Sequence, residues 1–475
     1  MRGSIASAEA PLRAPRGADP AVLCRALVLV CAPRGALVAG LMVGVVGCHP
    51  PASAPVDAPK DMSLVAAGEG AGAVERAPAA EAGEGEVAVS DVSGDMVNLD
   101  AAPRADERWR ARDPAYVAFE GACEGEGASI VVAAVGDLLL HHELQIQAFA
   151  APERHRALWA GVEDLLMRAD LTYGNLEGPM AAGLDREGRE VDDPGLVFDR
   201  VVYTAYPRFN FHASLAEDLV RSGFDVVSTA NNHALDRGAL GVDRTIAALR
   251  AAKLAYTGTR ARGDAAARWY TITRSKGIGV AWLACTELMN VRPDAEGQVL
   301  RCGDEAVEAT IRALKEDRSV DAVIVTPHWG KEYAPEPRAS QVTLARRWAE
   351  AGATAIFGSH PHVNQRWERL VTSGGREALV IYSLGNFASH QPELPRRSSA
   401  LFYVGLRRGA DGQTRVFGAR YVPLHVRQEG DRFFVEAVDR VGGPAESRAH
   451  TTGIFGEANL IRPEEALRLA PHCGD

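Results

Sequence analysis

From residue 128 onward the chain alternates between two hydrophobic textures. SIVVAAVGD (129–137), ADLTYGNLE (169–177), FDVVSTANNH (224–233), GIGVAWLAC (277–285), DAVIVTPHWG (321–330), ATAIFGSHPH (353–362) and ALVIYSLGNF (378–387) are short apolar, β-branched runs that read as strands, most of them closing on a polar cluster. Between them lie HRALWAGVEDLLMRA (155–169), SLAEDLVRSG (214–223), GVDRTIAALRAA (241–252) and QVTLARRWAEAG (341–352), whose apolar positions recur at helical spacing. The last three end in Gly or Ala, as helix C-termini commonly do. Strand alternating with helix predicts an α/β domain, and continuous apolar strands predict cover on both faces of the sheet. Further runs, LFYVGLRR, TRVFGARYVPLHV and RFFVEAV, are expected to complete a second sheet or form its edge, and PEEALRLAPHCGD reads as a short helix and terminus.

Upstream the texture differs. ALVAGLMVGVVGC, preceded by Arg2, Arg13, Arg16, Arg25 and Arg34, has the length of a signal-peptide apolar region and is short for a bilayer span. Val45-Val46-Gly47-Cys48 resembles a bacterial lipobox, so Cys48 is the expected lipidation site of an exported, membrane-anchored lipoprotein facing the periplasm or cell surface. The segment after it is rich in Ala, Gly, Pro and Glu and too poor in large apolar groups to offset its chain entropy. The expected organisation is therefore 1–47 signal peptide, 48–127 tether, 128–440 folded domain and 441–475 C-terminal tail.

Composition narrows the function classes. The 475 residues are 47% hydrophobic and 24% charged, which permits a sizeable core, and the formal net charge of −10 supplies no field for nucleic acid. No nucleic-acid partner is expected. The mature part carries Cys123, Cys285, Cys302 and Cys473 with no CxxC pair, which argues against a cysteine-built zinc site. Cys285 with Cys302, or Cys123 with Cys473, could bridge in an oxidising compartment; sequence leaves the connectivity open.

The chemistry concentrates at predicted strand ends, which in α/β sheets line the ligand crevice. Asp137 is followed by His141. Asn175 and Glu177 lie two apart and project to one side of an extended backbone. Asn231, Asn232, His233 and Asp236 follow a third strand; His328, Trp329 and Glu332 follow a fourth. In Gly358-Ser359-His360-Pro361-His362 the proline keeps the backbone extended and turns both imidazoles one way. Asp137, His141, Glu177, Asn232, His328, His360 and His362 form the inventory of oxygen and nitrogen ligands that two divalent ions need, with one bridging carboxylate. His233 and Asp236 are the expected catalytic pair, and Asn175, Asn231, Trp329, Glu332, Tyr382 and Asn386 the expected pocket lining.

Taken in order, GDLLLHH, ADLTYGNLEGPM, FDVVSTANNHALDRGALGVDRTIAALRAA, HWGKEYAPEPRASQ, GSHPHVNQRWE and YSLGNFASHQ resemble the successive blocks of the CapA family, the poly-γ-glutamate capsule-synthesis domain, from about Ile130 to about Pro423. The resemblance implies a calcineurin-like metallophosphoesterase architecture, a four-layer α-β-β-α sandwich, holding two ions of Mn, Fe, Zn or Mg. It also implies ligand roles for Asp137, Glu177, Asn232, His328, His360 and His362, and an acid role for His233. Two features depart from the phosphoesterase pattern: His141 lies four residues after Asp137 instead of two, and Glu177 replaces the bridging Asp. The expected function is a role in capsular or poly-γ-glutamate-type polymer synthesis as a metal-dependent hydrolase of a phosphoester or amide. The alternative is a non-catalytic component that binds or exports the polymer. Expected partners are an anionic capsular or γ-glutamyl polymer, the membrane and capsule-synthesis machinery.

Overall fold

The computed structural model describes residues 113–473 apart from 114, 124, 126, 265 and 292. Cys48, the expected signal segment and most of the expected tether lie outside the described residues.

Fourteen strands are described: β1 (Ser129–Leu138), β2 (Leu171–Leu176), β3 (Val226–Ser228), β4 (Ala255–Thr257), β5 (Tyr270–Ser275), β6 (Ile278–Thr286), β7 (Ala322–His328), β8 (Ala355–Phe357), β9 (Asn364–Val371), β10 (Glu377–Leu384), β11 (Asn386–Ala388), β12 (Ser398–Arg408), β13 (Thr414–Glu429) and β14 (Arg432–Ala437). They form two sheets. The first runs β14-β13-β12-β1-β2-β3-β4, with β11 also paired to β1, and the second runs β5-β6-β7-β8-β10-β9. β1 to β4 are mutually parallel, as are β6, β7, β8 and β10, so each sheet gathers its C-terminal strand ends along one edge. The runs after residue 400 extend the first sheet as an antiparallel meander on β1.

Strand alternation sorts the side chains into layers. Ile130, Val132 and Ala134 of β1 meet Val280 and Trp282 of β6, Ile324 of β7 and Leu379 and Ile381 of β10 between the sheets. Ala133, Val135 and Leu138 face the other way, onto α1 (His142–Ala150), α2 (Ser214–Arg221) and α3 (Gly238–Ala252), which contribute Leu144, Leu215, Leu219 and Leu249. The outer face of the second sheet is covered by α4 (Glu305–Glu316) and α5 (Ala339–Ala351). In α4, Val307, Ile311 and Leu314 recur at i, i+4 and i+7 and are the buried stripe. The order is helix, sheet, sheet, helix, the four-layer sandwich expected from sequence.

Three local expectations are corrected. Residues 155–169 do not form one helix: they fold as 3-10 turns at Arg154–Leu158 and Ala160–Val162 and a short helix at Glu163–Leu166. The bend buries Trp159, whose Nε1 donates to Ser222 Oγ at 2.7 Å. The segment before residue 128 contributes to the fold, because Val117 and Phe119 enter the core between the sheets and Val117 N–H donates to Asn459 Oδ1. The tail is also integral. Its helix is α6 (Ala445–Phe455), which buries Phe455, whereas 461–473 is a run of bends and turns without a helix, whose Leu469 carbonyl lies where a Cβ on Gly418 would have to be. Disulfides join Cys123 to Cys473 and Cys285 to Cys302.

Candidate metal centre

The polar centre forms where the strand-end edges of the two sheets meet. Asp137 closes β1, Asn175 lies in β2 with Glu177 just after it, and His328 is the last residue of β7. His360 and His362 occupy the turn after β8. At Gly385 (φ 69°) the chain leaves β10 and pairs with β1 as β11, and Asp137 N–H donates to Gly385 O. That crossover sets Asn386 beside His362.

The side chains interlock. Asn175 Nδ2 donates to Asp137 Oδ1 at 2.8 Å, and Asp137 Oδ2 lies 3.1 Å from His362 Nδ1. His328 Nε2 is 2.9 Å from Asn232 Oδ1, 3.1 Å from His360 Nδ1 and 3.6 Å from Glu177 Oε1; the last oxygen is 3.8 Å from His362 Nε2. Asp137, Glu177 and His328 are fully buried, and His360 and His362 nearly so. Both histidines after β8 have positive φ, 97° and 58°, a conformation that non-glycine residues hold only where the surroundings enforce it.

Electrostatics separate the two residue types. Burial, with Asp137 alongside, pushes the Glu177 carboxyl well above the usual carboxylate range. Burial holds His328 well below the ordinary imidazole value, lowers His360 to about 3 and lowers His141 to about 4, in each case with other histidines adding to the effect. Neutral imidazoles beside a carboxylate that lacks a counter-charge are what a cation site presents before its cation is counted. Glu177 Oε1 accepts no hydrogen bond although it is buried. One group of donor atoms, from Glu177, His360 and His362, and another, from Asp137, Glu177 and His328, lie within 4.8 Å of one another; Glu177 belongs to both. The residues therefore fit a divalent cation of hard to borderline character. A third grouping, Cys123, His472 and Cys473, has its sulfurs committed to the disulfide.

His233 Nδ1 is 2.8 Å from Asp236 Oδ2, which also accepts from Phe209 N–H. Asn231 Nδ2 donates to Leu176 O and pins this turn to the end of β2. His141 stands beside the centre but outside both donor groups: its Nδ1 is 2.9 Å from Leu139 O and its ring abuts Phe209. Glu332 is exposed at the rim, near enough to raise the Glu177 carboxyl further. Trp329 and Tyr382 do not line the centre. Trp329 stacks on Trp348 of α5 at 5.5 Å, and the Tyr382 hydroxyl donates to Glu368 Oε1, both on the outer face of the second sheet.

Sequence reasoning passed over Asn290 and Glu287. Asn290 N–H donates to Asn232 O and its amide lies 3.4 Å from the His233 ring; Glu287 N–H donates to His328 O. Both follow β6 in TELMN, and the rule that drew attention to the other strand ends points to them equally.

The architecture and this centre define an α-β-β-α protein with a buried carboxylate–imidazole cluster at converging strand ends. The family model for the bacterial capsule synthesis protein PGA_cap matches residues 131–391, and the chain belongs to that family. It is 28% identical over 288 residues to the capsule biosynthesis protein CapA of Bacillus anthracis, covering 59% of this chain and 64% of that protein. It is 26% identical over 290 residues to the PGA biosynthesis protein CapA of Bacillus subtilis strain 168, covering 59% and 69%. Among solved structures, a 5'-nucleotidase from Candida albicans SC5314 is similar at 11% identity and a TM-score of 0.31, over 58% of this chain and 46% of that one.

Proposed function

We propose that this protein is an exported, lipid-anchored component of capsular or poly-γ-glutamate-type polymer synthesis that hydrolyses a phosphoester or amide bond at the strand-end centre. The observation that carries the reading is the burial of Glu177 as a shared member of two groups of ligand atoms, in which burial keeps the His328 and His360 imidazoles well below their ordinary value. The anchor rests on the lipobox-like sequence ending at Cys48, and an anionic polymer substrate on the names of the relatives.

Asp137, Glu177, His328, His360 and His362 would hold divalent ions, with Asn232 completing the set. Bound there, such ions supply Lewis acidity and a lowered water pKa. Asp236 fixes the His233 ring through Nδ1 and leaves Nε2 to carry a proton for a leaving group. Asn290 and Phe209 confine the same ring, the latter edge-to-face at 4.8 Å. The enclosing strands exclude water around the carboxylates, which strengthens every charge interaction inside.

The test is metal analysis of the purified protein together with hydrolysis of a phosphodiester and of a γ-glutamyl anilide. Wild type should contain stoichiometric metal and turn over one substrate, with His360→Ala lowering both metal content and turnover, the latter at least 100-fold. Metal-free wild type without turnover rejects the centre; metal without turnover leaves the polymer-binding alternative. Unmodified Cys48 in mature protein would reject the anchor.

A further inference from the structure

Beside the centre, Tyr333 adopts φ 64° while 41% exposed, so strained backbone presents an aromatic ring at the rim instead of burying it. The ring is 6.0 Å from that of His362, and the Arg396 guanidinium carbon sits 3.5 Å above the Tyr333 centroid. Both residues are tied to the histidine turn by backbone. Tyr333 N–H donates to Pro361 O, between His360 and His362. Asn386 Nδ2 donates to Arg396 O at 2.9 Å, and its Oδ1 is 3.1 Å from His362 Nδ1. The guanidinium is thereby positioned relative to His362 from two sides. It pairs with Glu393, a surface carboxylate 52% exposed, an arrangement that costs little to exchange.

Deepening the proposed function, on which this rests, we propose that Arg396, laid flat on Tyr333, is a specificity-determining subsite for an oxyanion of the substrate, a carboxylate or phosphate flanking the bond presented to the centre. Carboxylates crowd this edge, with Asp137 and Glu177 inside and Glu332 at the rim, and an anionic chain approaching them needs a fixed cation at its flank. Stacking pre-sets the plane of the guanidinium, so once Glu393 is exchanged its N–H groups meet an oxyanion in the bidentate fork at little entropic cost. Lysine offers a point charge without that plane.

The experiment is calorimetric titration of the full chain, as purified, with inorganic phosphate and separately with glutarate, for wild type, Arg396→Gln, Arg396→Lys and Tyr333→Ala. Binding of one probe is expected to weaken at least tenfold in Arg396→Gln, less in Arg396→Lys and severalfold in Tyr333→Ala; the probe affected distinguishes phosphate from carboxylate. Affinity in Arg396→Gln within twofold of wild type for both probes, or no binding of either by wild type, overturns the subsite. Turnover is not needed for this reading: Arg396-dependent binding in a protein that hydrolyses nothing removes the hydrolase and keeps the subsite.

Discussion

Among single residues, burial of a titratable group fixes how the fold responds to acid. His425 is 5% exposed on β13, beside Ser447 Oγ, with Arg397 and Glu436 the charged groups that act on it. Burial first and Arg397 second lower its pKa to about 4. The folded state refuses a proton that the unfolded chain accepts below about pH 6.5, so this contribution is complete above that pH and is lost as pH falls toward 4. The loss approaches about 3 kcal/mol, the free energy of a shift of this size. Unfolding temperatures measured from pH 7.5 to 4.5 should fall less steeply in His425→Asn than in wild type; parallel profiles would remove His425 as a source of acid sensitivity. Residue alternation also explains two misplaced pocket residues. Trp329 directly follows His328, and Tyr382 shares its face of β10 with Val380, so each ring leaves on the helix-covered side.

At the scale of elements, the turn after β8 shows why strand ends were legible and their exact geometry was not. The spacing of His360 and His362 around Pro361 is visible in the sequence, and so is the apolar run that delivers it. The positive φ of both histidines is a product of packing: a Cβ on Gly358 would lie 2.0 Å from Tyr382 O and 2.4 Å from Trp329 Nε1. Gly358→Ala therefore must push the turn off β10 and Trp329, and should destabilise by about 2–3 kcal/mol, the usual cost of overpacking. Denaturant unfolding with metal content measured in parallel checks this; an unchanged midpoint would mean the turn can yield. The Tyr333–Arg396 pair was not legible either, since the partners are 63 positions apart and meet only through the β10-to-β11 crossover. The α/β alternation survived because the strands are continuous apolar runs and helices such as α2 and α4 carry one apolar stripe, each legible locally, whereas residues 155–169 carry a helical pattern that the burial of Trp159 overrides.

For the molecule as a whole, the domain extends beyond the limits that composition set. Residues 113–123 look like the end of a polar, small-residue segment, yet Val117, Phe119 and Tyr116 are buried, the last with its hydroxyl against His472. Few apolar residues suffice there because the disulfide and the partners in the tail hold the segment in place. Replacing Cys123 and Cys473 together by Ala should cost about 2–5 kcal/mol, as loss of a bridge spanning a long loop does. Differential scanning calorimetry of the double variant checks the magnitude, and a wild-type midpoint insensitive to reductant would contradict it.

That bridge also has a mechanical consequence. Its two sulfurs span 350 positions of sequence, so every strand and helix described lies inside a covalent ring, and the chain enters and leaves at one point. A pull applied between the two ends first draws residues 113–122 from their packing between the sheets and is then borne by the sulfur bond, so it does not unravel the strands and helices inside the ring. In a force spectrometer the oxidised protein should withhold the length of the ring, roughly 1,200 Å of extended chain, and surrender it only after reduction.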